Sequence, residues 1–139
     1  MKKRAAAAVV LAGLFLFAGC GKDPVQPGEL LTEYIQLLSE EKYEEMYSYL
    51  SEDAKAETDE ETFVNRNRNI YGGIEASGIE IVIAEDEEED KDADTRRVEY
   101  SISMQTIAGE LAFDNMVAIS KKDEEGAYKM EWDSQDIFP

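Results

Sequence analysis

Histidine is absent from the 139 residues, and cysteine occurs once, at Cys20. Without histidine there is no Ser-His or Cys-His nucleophile pair, and the commonest metal ligand is gone. A single cysteine rules out an internal disulfide and any multi-thiolate metal site. Basic side chains are scarce, 14 against 32 acidic ones, for a formal net charge of −18. Such a surface repels phosphate backbones and anionic headgroups, which argues against nucleic-acid binding, since that needs a basic footprint. A long apolar run is also missing. The longest, Ala5 to Phe17, falls short of the ~20 residues that span a bilayer as a helix.

That short run has a context. Lys2, Lys3 and Arg4 precede it, and Ala18-Gly19-Cys20 follows. Positive charge, a short apolar core and small residues before a cut form a secretory leader. Ala18-Gly19 ahead of the sole cysteine resembles a lipobox, with Phe17 in place of the usual leucine. Residues 1–19 are therefore expected to be a lipoprotein signal peptide, and Cys20 the lipidated first residue of the mature chain. Two acyl chains anchor stably where one does not. The three cations leave with the leader and take no acid with them, so the remainder carries −21 against −18 for the whole chain. High charge of one sign suits a soluble domain outside the cytoplasm.

Residues 20–28, ending in "GKDPVQPG", form a linker after the lipidated cysteine. Polyproline geometry at ~3.1 Å per residue would lift the next domain ~25 Å off the membrane. Residues 29–139 suffice for one domain with one core. Three helices come first. Leu30, Leu31, Tyr34, Ile35 and Leu38 form a stripe over 29–38, and Tyr43, Met46, Tyr47 and Leu50 form another over 40–50. Phe63, Val64, Ile70, Tyr71 and Ile74 mark a third over 59–74. Thr58 with Glu61 reads as its capping box, and Ser39 as the N-cap of the second helix. After residue 76 the period becomes two. Ile79, Ile81 and Ile83 make one half-buried strand, and Val98, Tyr100, Ile102 and Met104 the next. Leu111, Phe113, Val117 and Ile119 share a parity broken at Asn115, and Tyr128, Met130 and Trp132 close the set. Ala108-Gly109 and "KKDEEG" are turns between strands. Helices followed by a run of strands predict an α+β fold: three N-terminal helices packed on a curved antiparallel sheet of about four strands.

The motifs that suggest chemistry are thin. Asp90, Asp92 and Asp94 fit the first ligand positions of an EF-hand, but Thr95 stands where glycine is needed and Ser101 where the bidentate Glu belongs. The run 85–94 reads as a solvated loop. Ser39-x-x-Lys42 matches one element of the penicillin-interacting serine enzymes, but the Ser-x-Asn and Lys-Thr-Gly elements occur nowhere. Tyr34, Tyr43, Tyr47, Phe63, Tyr71, Tyr100, Phe113 and Trp132 read as core rather than as a ligand pocket. Asp114 or Asn115 reads as a bulge or strand-face residue rather than a buried catalytic acid. Arg66 and Arg68 in "NRNRN" are open to two readings, local charge pairing or a contact patch for another domain. No catalytic residue, metal or cofactor is expected.

Several of these pieces occur together in one family. "EKYEEMYSYLSEDAKAETDEETFVNRNRNIYGGI", the Ala108-Gly109-Glu110 turn, and Trp132-Asp133 with Ile137-Phe138-Pro139 resemble the nuclear-transport-factor-2-like N-terminal domain of class B penicillin-binding proteins of the methicillin-resistance type. The resemblance covers about residues 28–139 and implies a cone-shaped, non-catalytic spacer and docking domain in peptidoglycan synthesis and β-lactam response. The implied partners are the membrane, through Cys20, and a C-terminal transpeptidase domain or other cell-wall synthesis proteins. The implied location is the outer face of the bacterial cytoplasmic membrane. The penicillin-binding serine lies in the transpeptidase domain, so no residue here inherits it. Ile137-Phe138-Pro139 is expected to be a loosely packed exit toward that domain. Two other readings stand beside this one: a stand-alone lipoprotein binding a small ligand or wall fragment in the cone, and an isomerase with a buried carboxylate.

Overall fold

The computed structural model describes residues 24–84 and 92–139. Cys20, the leader and most of the acidic run 85–94 lie outside the described residues. Among the described residues four helices come first: α1 (Pro27–Ser39), α2 (Tyr43–Tyr47), α3 (Glu52–Glu57) and α4 (Glu60–Gly73). Four strands follow: β1 (Ser77–Ile83), β2 (Thr95–Thr106), β3 (Gly109–Lys122) and β4 (Tyr128–Met130). They form one curled antiparallel sheet in the order β1-β2-β3-β4. The α+β expectation holds. Among the described residues, no helix is long and apolar enough to cross a membrane.

The helix count differs from three because the stripe over 40–50 does not run through one helix. Chain direction changes after α2, and Leu50 instead bridges to Met130 at the sheet end. Ser51 N–H donates to the Met130 carbonyl, and Met130 N–H to that of Tyr49, both at 2.8 Å. A short helix, α3, then starts at Ser51, whose hydroxyl accepts from Ala54 N–H at 3.1 Å. Two expected caps also move. Thr58 is buried at the C-terminal end of α3, and Asp59 caps α4 by accepting from Thr62 N–H at 2.8 Å. Ser39 ends α1 rather than starting α2; its hydroxyl donates back to the Ile35 carbonyl. Helix α1 begins two residues before the expected position, with Pro27 in its first turn, where proline's missing N–H costs no bond.

On β2 the expected alternation is complete: Val98, Tyr100, Ile102 and Met104 all face the core. On β3 it is not. Tyr100 pairs with Met116 but Ile102 with Phe113, so β3 holds one extra residue there. Asn115 takes a left-handed φ of 58° at this bulge, a conformation asparagine tolerates better than most residues. An extra residue reverses the faces of a strand. Phe113 therefore points inward, while beyond the bulge Ala118 and Ser120 are buried and Ile119 is exposed. The single parity expected for Leu111, Phe113, Val117 and Ile119 is thus overturned.

The concave side of the sheet closes over α1, which touches β1, β2 and β4, while α4 packs with α2. The core joins Leu31, Tyr34, Ile35 and Leu38 of α1 to Met46, Phe63, Tyr71, Tyr100, Ile102, Met104 and Met130.

Candidate functional site

The positions that suggested chemistry do not assemble into a reaction centre. Lys42 pairs with Glu40 at 2.6 Å, and Ser39 is bonded to its own helix. Ser39 and Lys42 are thus each engaged with another group. Asp114 and Asn115 are exposed at the bulge. Among the described residues no Asp or Glu is buried as a whole, and no group of His, Cys, Asp or Glu is placed to hold a metal. A charged cleft of about 500 Å³ lies between the start of α3 and the β3–β4 hairpin. Its lysines are engaged: Lys121 with Glu131 at 3.5 Å, Lys122 with the Asp92 carbonyl at 2.7 Å, Lys129 with the Ser48 carbonyl at 3.2 Å.

The aromatic residues behave as core. Phe63 meets Tyr47 at 5.5 Å between ring centroids, and Trp132 edge-on at 5.1 Å. Tyr34, Tyr71 and Tyr100 gather in the interior of the cone. Burial first, then the neighbouring phenols, pushes Tyr34 and Tyr71 well above the ordinary tyrosine range. Burial, with a smaller contribution from Asp136, pushes Tyr100 up to about 12. These hydroxyls stay protonated at physiological pH, and those of Tyr71 and Tyr100 act as donors.

What they donate to is the segment expected to be loose. Tyr71 Oη donates to the Ile137 carbonyl at 3.1 Å, and Tyr100 Oη to the Pro139 oxygen at 3.0 Å. Arg66 Nη2 reaches the Asp136 carbonyl at 3.5 Å, and its guanidinium lies over the Trp132 ring at 5.8 Å. Phe138 inserts between Tyr71 and Phe113, with centroids 6.3 and 5.3 Å away, and is only 6% exposed. The expectation of a poorly packed Ile137-Phe138 pair is therefore wrong for Phe138. Ile137 does face outward, 49% exposed. For the two arginines, both are engaged within the chain: Arg68 with Glu44 at 3.5 Å and over the Tyr43 ring, Arg66 with the C-terminal segment. The sequence carried a signal for this packing, two large apolar side chains in an otherwise polar tail, but not for its partners, which lie 66 and 39 residues away.

Helices cupped by a curled sheet, the interior filled by aromatic side chains and the last segment folded back over it, define an NTF2-like α+β domain. Residues 26–139 match the family described as the NTF2-like N-terminal transpeptidase domain, and the chain belongs to that family. It is also 29% identical over 129 residues to penicillin-binding protein 3 of Bacillus subtilis (strain 168). That alignment takes in 91% of this chain and 19% of the relative, so the chain spans about a fifth of the relative's length.

Proposed function

We propose that this domain is the non-catalytic, membrane-anchored spacer and docking module of a penicillin-binding protein that works in peptidoglycan synthesis and the response to β-lactams. In this reading Cys20 carries the lipid, the residues after it lift the domain from the outer face of the cytoplasmic membrane, and the partner is a transpeptidase domain. The observation that carries the reading is the filled cone in a member of this family. Tyr34, Tyr71, Tyr100 and Phe138 occupy the space where an NTF2-like enzyme or carrier would need a cavity with convergent polar groups. What the cone then offers is a rigid body with its last segment fixed to it, which suits a part that sets position.

Expression with the leader in a bacterial host tests the proposal. The wild-type chain should fractionate with membranes and yield diacylglyceryl-Cys20 by mass spectrometry, whereas Cys20→Ala should be released from the membrane. A fluorescent penicillin should label neither. A mature chain that keeps residues 1–19, or a free thiol at Cys20, would sink the anchor. A covalent band that disappears in Ser39→Ala would sink the non-catalytic role.

A further inference from the structure

Helices α1 and α4 both end, and β1 begins, around one pocket of about 320 Å³. It opens to the surface beside Glu41, Ser77 and Gly78, all exposed. Leu38, Ile79 and Tyr71 supply its apolar wall, and Glu41, Tyr43 and Ser77 its polar one. Small-ligand sites have this make-up, an apolar lining with a few polar groups that fix orientation. Tyr43 is only 3% exposed, yet its hydroxyl bonds to no other described residue. Burial, then the charge of Glu41, raises the pKa of that hydroxyl, which puts the carboxylate within electrostatic reach of it. The Glu41 carboxylate and the Ser77 hydroxyl likewise have no bond to a described residue.

The charge of the pocket is one-sided. No Lys or Arg among the described residues lines it. A helix C-terminus carries partial negative charge and is commonly matched by a cation in the last turn. Neither α1 nor α4 has a basic residue there. Two cations in the neighbourhood are committed elsewhere: Lys42 pairs with Glu40 at 2.6 Å, and Arg68 with Glu44 at 3.5 Å and the Tyr43 ring. The larger cleft at the β3–β4 hairpin differs, since three lysines lie among its acids.

We propose that this pocket binds the ammonium group of a short aliphatic primary amine. An ammonium has three N–H donors, and Glu41, Tyr43 and Ser77 offer three oxygens to receive them. The methylene chain lies on Leu38, Ile79 and the Tyr71 ring. An anion meets Glu41 and two negative helix ends. A neutral alcohol keeps the apolar contact and loses the charge-assisted bonds. The same group is presented by a free amine and by a lysine-like side chain of a peptide. The site stands apart from the spacer reading, since neither membrane fractionation nor penicillin labelling reports on it.

The test is a titration of the full chain, in non-ionic detergent and about 0.15 M salt, with n-pentylammonium chloride, read by amide chemical shifts. Saturable shifts should centre on residues 39–43 and 76–79. Glu41→Gln and Tyr43→Phe should each weaken binding at least about tenfold, the effect of losing one bond to a charged group. Glu124→Gln removes the same charge at the other cleft and should change affinity less than about twofold. Pentanol should not saturate the same shifts. An equal loss in Glu41→Gln and Glu124→Gln would reduce the effect to general attraction by an acidic surface and overturn the proposal. Pentanol binding as tightly as the amine would overturn it too. Should Glu41→Gln lose its fold, Tyr43→Phe, which keeps the buried ring, decides by the same comparison. Nα-acetyl-lysine amide tells the sources apart: binding at the same shifts assigns the site to a peptide side chain, and binding of pentylammonium alone assigns it to a free amine. Either result upholds the site.

Discussion

Tyr34, Tyr71 and Tyr100 show how far a residue's role depends on its surroundings. Each was legible as an apolar ring on a periodic stripe. Neither Tyr71 nor Tyr100 was legible as a donor, because the oxygens they serve belong to Ile137 and Pro139, and no local pattern links such distant positions. Their hydroxyls also make a pH prediction. All three hold their protons more tightly in the folded chain, chiefly through burial, with Tyr100 at about 12. The unfolded chain gives up its tyrosine protons near the ordinary value of about 10, so above that pH it binds fewer protons than the folded state. Their contribution is fully present below about pH 10 and is lost as pH rises toward and past the folded values. Urea midpoints should be flat from about pH 8 to 9.5 and then fall. Tyr100→Phe should make that fall shallower. An equally steep fall in this variant would mean that Tyr100 is not responsible.

Elements were legible in proportion to their length and regularity. Helices α1 and α4 run for three turns or more, so their stripes carry enough positions to fix the period. Strand β2 alternates over its whole core-facing set. The short elements failed the same reading for physical reasons. Helices α2 and α3 hold five and six residues, less than two turns, and their apolar positions merged into one apparent stripe ending at Leu50. The β3 bulge failed because a period-two pattern cannot show where one residue has been added. Capping follows the corrected boundaries. Ser51, itself buried, accepts from Ala54 N–H at the start of α3. Ser51→Ala should cost about 1 kcal/mol, the usual loss for an N-cap hydroxyl. Ser39→Ala, by contrast, removes only a bond back to the Ile35 carbonyl within α1 and should leave stability almost unchanged. Chemical denaturation of the two variants separates the assignments, and the reverse order of effects would restore Ser39 as the cap.

At the scale of the whole molecule the question is how tightly the C-terminal segment belongs to the domain. Trp132 is core: it meets Phe63 edge-on, lies under Arg66 and is buried. Trp132→Ala should cost ~3–5 kcal/mol, a large share of the ~5–15 kcal/mol that holds a domain together. Deleting residues 136–139 removes a buried phenylalanine ring, by itself worth ~3–5 kcal/mol. It also strips three donors of their acceptors, though Arg66, Tyr71 and Tyr100 then meet water where the segment lay. Against this loss, the neighbouring side chains can relax into the space at the surface, which returns part of the cost of the missing ring. The deletion should therefore cost about 2 kcal/mol, between the price of a frayed end and that of a core residue. The two changes should not add, since Arg66 touches both Trp132 and Asp136. Urea unfolding followed by circular dichroism, on the single changes and on both together, measures each term. A deletion costing under ~0.5 kcal/mol would mean that the segment is a frayed terminus and that Phe138 is not docked in solution. A cost equal to that of Trp132→Ala would mean that the segment is as much a part of the core as the indole it follows.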